Sequence, residues 1–252
     1  TAGSAVTSLA IETDPLLSAD GQTVVFASRT ADASSGISDL NGDDDVFLFD
    51  ARDGTLTVVS RSAVVSGATG ISWSRPTAVS ADGRRVLFGS NATNLVSGAA
   101  FNGGVYVYDV PTRQTLQIAH AAASATTPAN NSSQPGDISA DGNLVLFNSL
   151  ATDLLTGLSD ANGTLDVYLG DIASDTRTLV SRSVVSATTA ANGMSGGGLL
   201  SADGSAALFA SGAADLDADI DDGNQYLDLY LATLPRQAPL FADGFEQAPG
   251  SR

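Results

Sequence analysis

Four residues, Ser-Ala-Asp-Gly, return four times along this chain, at Ser18–Gly21, Ser80–Gly83, Ser139–Gly142 and Ser201–Gly204. The steps between copies are 62, 59 and 62 residues. A phenylalanine follows each copy at a fixed distance (Phe26, Phe88, Phe147, Phe209), and a second aromatic recurs further on (Phe47, Tyr106, Tyr168, Tyr230). A period of this length marks a repeat protein, in which each unit is one supersecondary element that buries its apolar surface only by stacking on its neighbours.

Each unit reads as a meander of four strands. A short strand runs into Ser-Ala-Asp-Gly, and Asp-Gly between apolar runs predicts a type I′ hairpin. The second strand is Val24–Ala27, Val86–Phe88, Val145–Phe147 or Ala207–Phe209, and a loop of roughly 16 residues follows it, long for an ordinary connection. The third strand is Val46–Phe49, Val105–Tyr108, Val167–Leu169 or Leu229–Leu231, and the fourth is Leu56–Val59, Leu116–Ala119 or Thr178–Val180. The middle strands are apolar on both faces, so each sheet is expected to lie between two others. No segment carries a capped helical period. The pattern predicts an all-β fold: a β-propeller of four-stranded blades, four in number, over residues 1–234, with repeats beginning near 14, 76, 135 and 197 and a tail at 235–252.

The fourth unit has no fourth strand after Leu234-Pro235. Spare strand-like material lies in Ser4–Ile11, and Val6–Ile11 is expected to pair beside Leu229–Leu231 and close the ring as an N-terminal Velcro strand. A piece of a larger ring, or a half-ring completed by a second chain, is the alternative.

The net charge of −17 argues against nucleic acid and anionic lipid as partners, since both need clustered Lys and Arg. Cysteine is absent, which excludes disulfides and thiolate zinc sites. No run of about 18 apolar residues spans a membrane. A start at Thr1 and richness in Ala, Ser, Thr, Gly and Asn lead us to expect an extracellular or periplasmic bacterial protein.

Ser80–Ser90 followed by Asn91-Ala-Thr-Asn-Leu-Val96 resembles the WD40-like (PD40) repeat of TolB-type bacterial propellers. Asp39-Leu-Asn-Gly42 and Asp45-Val-Phe-Leu48 resemble the Asp-x-Asn-Gly loop and following strand of that family, and the resemblance runs from about residue 14 to 234. It implies a propeller fold and leaves the role open, because such propellers host unrelated functions. Family rings commonly have more than four blades. Leu240–Glu246 resembles a short tail motif of secreted proteobacterial proteins.

Three of the long loops carry acids at matched spacing: Asp39, Asn41 and Asp45; Asp160, Asn162 and Asp166; Asp222, Asn224 and Asp228. Calcium takes several oxygen ligands and tolerates irregular loops, so these residues are expected to bind calcium at up to three sites. The bland reading is Asn-Gly and Asp-Gly turns with no ion. In the second unit the aligned positions are Gly98, Ala100 and Gly104, which offer no side-chain oxygen. Gly193-Met-Ser195-Gly-Gly197 matches a nucleophile-elbow pattern by letter but lacks the strand before and the helix after. The only histidine, His120, is expected to be a packed residue. Trp73 and Arg75 lie in a long loop, where an exposed Trp stacks on a ligand or caps the core.

The reading is a secreted, calcium-binding propeller acting as a non-enzymatic binding or structural module. The two alternatives are a carboxylate-dependent lyase or glycosidase and a self-assembling subunit. The long loops gather at one end of the sheets, so a protein or carbohydrate partner is expected there.

Overall fold

A computed structural model of the chain describes residues 11–30, 36–97, 103–218 and 226–234. Sheet one is β1 (Leu16–Leu17), β2 (Thr23–Ser28), β3 (Asp45–Asp50) and β4 (Thr55–Val58). Sheet two is β5 (Ser74–Val79), β6 (Arg85–Ser90), β7 (Gly104–Asp109) and β8 (Gln114–Gln117). Sheet three is β9 (Ser133–Ile138), β10 (Leu144–Ser149), β11 (Asp166–Asp171) and β12 (Thr176–Leu179). Sheet four, three-stranded among the described residues, is β13 (Ser195–Leu200), β14 (Ala206–Ser211) and β15 (Asp228–Thr233). All pairings within the sheets are antiparallel and every sheet is a meander.

Strand periodicity gives each sheet two different faces. On one face the repeating Phe stacks on the repeating aromatic of the next strand, at ring-centroid distances of 5.7, 5.6, 5.6 and 5.9 Å in sheets one to four. On the other face stand aliphatic side chains: Val25, Val46 and Leu48 in sheet one, Leu87, Val105 and Val107 in sheet two, Leu146, Val167 and Leu169 in sheet three. Each aliphatic face packs on the aromatic face of the following sheet. Val25, Val46 and Leu48 share a core with Phe88 and Tyr106. The same holds for Leu87, Val105 and Val107 with Phe147 and Tyr168, and for Leu146, Val167 and Leu169 with Phe209. Burial on both faces is why these strands read as unbroken apolar runs.

The Ser-Ala-Asp-Gly turns hold the stack at one end, and they are not the type I′ turns expected from Asp-Gly. The Gly N–H donates to the Ser carbonyl at 2.9, 2.9, 2.8 and 2.8 Å. Only the Gly has positive φ; none of the four Asp residues does. The Ser hydroxyl donates to the Asp carboxylate in all four copies and accepts the N–H five residues on, from Thr23, Arg85, Leu144 and Ala206. Ser and Asp close the turn through their side chains, which leaves the left-handed conformation to Gly alone. The backbone of each turn reaches the next sheet: Asp20 N–H donates to Ala81 O (3.3 Å), Ala81 to Ala140 (2.9 Å) and Ala140 to Ala202 (2.9 Å).

Gly83 shows how tight this end is. Its φ is +69°, and a Cβ there would fall 2.1 Å from Thr23 Oγ1 of sheet one. Gly83→Ala is therefore expected to lose about 1–3 kcal/mol of stability in urea unfolding through backbone strain and crowding of the seam. Gly54→Ala meets nothing within 4 Å and should lose only the strain of its +74° φ.

Ring closure is not seen among the described residues. Val6–Ala10 lie outside them, as does the tail from 235. Ile11 bridges to Ser28, and the Glu12 N–H donates to Ala27 O at 3.0 Å, so at Ile11 the chain runs along β2 of sheet one rather than beside Leu229–Leu231. β15 pairs only with β14 among the described residues. No core cluster joins sheet four to sheet one.

Candidate functional site: the acidic loops

The loops entering β3 and β11 are built alike. Asp39 accepts the N–H groups of Asn41 and Gly42, both at 2.9 Å, and Gly42 takes a φ of 66°. Asp160 accepts the N–H groups of Asn162 and Gly163 at 3.1 and 3.2 Å, with Gly163 at 62°. In each loop the Asn amide reaches across to the loop that leads into the next sheet. Asn41 Nδ2 donates to Gly70 O at 2.6 Å, and Asn162 Nδ2 donates to Ala191 O at 2.5 Å. A parallel bridge, Ser38 to Ala68 or Ser159 to Thr189, pins the same two loops together. The long loops thus meet at the end of the sheets opposite the Ser-Ala-Asp-Gly turns.

Asp45 and Asp166 open β3 and β11 at the bottom of these loops, and both are buried. Each accepts a hydrogen bond from a serine that follows the last strand of its own sheet, Ser60 at 2.7 Å and Ser181 at 2.9 Å. The same serines accept the N–H of Val46 and Val167. Burial pushes both carboxyls up to about 7; the serine hydrogen bonds pull the other way, and the charges of Asp39 and Asp160 push further up. The charge of Asp160 raises the Asp166 carboxyl pKa, and a hydrogen bond from Asn162 lowers it. Asp166 Oδ2 accepts no hydrogen bond of normal geometry, and the buried Tyr168 hydroxyl nearby has no hydrogen-bond partner either. Burial, followed by the charges of Asp166 and Asp160, pushes the Tyr168 hydroxyl pKa up. In sheet one the charge of Asp39 acts on Asp45 in the same sense, and Asn41 is placed like Asn162: its amide donates to Gly70 O and its Oδ1 takes the Asp43 N–H, as Asn162 Oδ1 takes that of Thr164.

Sheet two has no such centre. Gly104 stands where Asp45 and Asp166 stand, and Ala119 replaces Ser60 and Ser181. The place is closed by the Tyr106 ring, and a void of about 10 Å³ remains beside Gly104 and Ala119. Gly98 and Ala100 lie outside the described residues, as do Asp222 and Asn224 of the fourth unit; Asp228 opens β15 opposite Ser211. No three His, Asp or Glu side chains gather at one point among the described residues.

The other sequence-level candidates resolve into structure. Ser195 is buried at the start of β13, 2.7 Å from Ser211 Oγ, and Ser74–Ser90 and Ser133–Ser149 repeat that pair. His120 is buried, with Nε2 2.8 Å from Asp175. Trp73 is 37% exposed, with the Arg75 guanidinium 5.8 Å from its ring centre. Arg75 and Arg29 also grip the buried Asp44 carboxylate at 2.7 and 2.8 Å. Burial pushes the Asp44 pKa up, but the two arginines outweigh it and hold it below the usual carboxylate range.

No family profile and no curated protein matches the sequence. Solved structures similar to this chain include TolB-type and other β-propeller proteins. TolB from Acinetobacter baumannii is 16% identical with a TM-score of 0.43, covering 88% of this chain and 40% of its own. A putative TolB from Agrobacterium tumefaciens is 14% identical with a TM-score of 0.46, over 88% of this chain and 66% of its own. The β-propeller domain of the Trilobed protease from Pyrococcus furiosus, described as having an open velcro topology, is 12% identical with a TM-score of 0.40, over 90% of this chain and 70% of its own. The chain thus spans less than two thirds of the length of both TolB proteins.

Proposed function

We propose that this chain is a non-enzymatic binding or structural module of the propeller type, working outside the cytoplasm, whose acidic loops each hold a calcium ion. One observation carries the reading. Asp166 is 1% exposed and keeps a buried carboxylate oxygen without a hydrogen-bond partner, with a second carboxylate, Asp160, acting on it. A buried carboxylate with one oxygen left unsatisfied is costly, and a hard cation is what two carboxylates with amide and hydroxyl oxygens suit. Asp160, Asn162 and Asp166 would hold the ion in sheet three, and Asp39, Asn41 and Asp45 in sheet one. Asp222, Asn224 and Asp228 are the third set. The ion would neutralise clustered charge and tie a long loop to the start of a core strand; it has no part in a reaction. A protein or carbohydrate partner would meet the loops at this same end, since loops on a rigid scaffold carry binding.

The test is thermal melting of wild type and Asp166→Asn, each in excess calcium and in chelator. Calcium at a hundredfold above Kd stabilises by about 2.7 kcal/mol per site, so wild type should melt several degrees lower in chelator. Asp166→Asn should lose part of that calcium response. Unchanged melting of wild type between the two conditions would reduce these loops to turns.

A further inference from the structure

The repeat supplies its own control for one surface. Three side chains per sheet make the aliphatic face, and in sheets one to three all nine are buried against the next sheet. In sheet four the same register positions are Leu208, Leu229 and Leu231. Leu229 and Leu231 are 74% and 73% exposed, and Leu199, paired to Leu208 across β13, is 63% exposed. The four leucines are contiguous on one sheet face. Ala206, Ala210 and Thr233 complete it, and none of these residues is charged. This face has the chemistry of an inter-sheet seam, and among the described residues no sheet covers it as one covers each of the other three.

We propose that a second copy of this chain covers it, with sheet four packed on sheet four about a two-fold axis. Two features select this occupant. The first is continuity with the three internal seams, each of which buries these positions under another sheet. The second is what else the chain offers. The outward aromatic face of sheet one is already buried at Phe26, Phe47 and Val58, so the exposed counterpart is the leucine face itself. At −17 per chain, two copies repel each other, and a face without charge is where they can meet most closely. A surface that contacts its own copy makes an isologous pair, the commonest symmetry of soluble oligomers. Large contiguous apolar patches on soluble proteins mark such contacts.

The experiment is sedimentation equilibrium of the chain over a range of concentrations, in moderate and in high salt. The expected species has twice the 25.3 kDa mass of one chain, and association strengthens with salt as the repulsion is screened. L229E/L231E should shift the mass to one chain while the circular dichroism spectrum is retained. T233R, a milder change on the rim of the same face, should weaken association at least tenfold and serves if the double variant does not fold. L56E, on the outward face of sheet one, should leave the dimer intact. A wild type that is monomeric throughout overturns the proposal, and so does a dimer indifferent to L229E/L231E and T233R. A dimer abolished equally by L56E would overturn it in favour of sheet four packing on sheet one of the next copy.

Discussion

Phe147→Ala should lower the unfolding free energy by about 3–5 kcal/mol in urea denaturation, the usual cost of emptying a buried aromatic site. Phe147 is fully buried, stacks on Tyr168 at 5.6 Å, and fills the seam made by Leu87, Val105 and Val107 of sheet two. Its removal leaves a void between two sheets held apart by their other side chains, so collapse is only partial. The repeat provides a matched comparison. Leu169→Ala, at a buried seam position of sheet three, should cost about 2–5 kcal/mol, whereas Leu231→Ala at the same register in sheet four should stay within about 0.5 kcal/mol under dilute, monomeric conditions. Equal costs at Leu169 and Leu231 would mean that sheet four is covered within the single chain.

Acid should stabilise the calcium-free protein. The Asp45 and Asp166 carboxyls are pushed up to about 7, chiefly by burial, from an ordinary value of 3.8. Between those limits the folded chain binds more protons than the unfolded one, so stability falls as pH rises from about 4 to 7 and then levels. A shift of one unit is worth about 1.4 kcal/mol, which bounds each group's contribution at roughly 4 kcal/mol. In chelator, the melting temperature should therefore be higher at pH 5 than at pH 8. Asp166→Asn, which imitates the protonated form, should remove part of the difference by raising the pH 8 value. With calcium bound the sign at this residue reverses, because the ion needs the carboxylate. A chelated wild type that is more stable at pH 8 than at pH 5 would contradict the raised carboxyl pKa values that burial gives these two groups.

The repeat made the strands legible. Period and apolar runs place β2, β3, β6, β7, β10 and β11 within a residue or two, because strands buried on both faces leave no polar position to blur them. The turn type was less legible: Asp-Gly suggests a two-residue turn, and only the Ser five residues before each second strand, with its hydroxyl on both Asp and backbone, makes the four-residue form. Half of the acidic centre was also missed. Ser60 and Ser181 follow the fourth strand, far from the loops in sequence. Their signal was present in the repeat all the same: where Asp45 and Asp166 become Gly104, the serines become Ala119. End effects are the least legible part. Val6–Ile11 has strand character, but a sequence pattern does not say which edge a strand joins, and at Ile11 the partner is Ser28.

Calcium bound by the buried carboxylates at the start of core strands would register directly in a calorimetric titration of calcium into chelator-treated protein at neutral pH. Binding is expected at up to three sites per chain. Heat should depend on the buffer's ionisation enthalpy, since calcium displaces protons from Asp45 and Asp166. Asp45→Ala should remove one site and leave the one at Asp166. No saturable binding at millimolar calcium, or full binding retained when Asp45 and Asp166 are both replaced, would contradict calcium binding by these carboxylates.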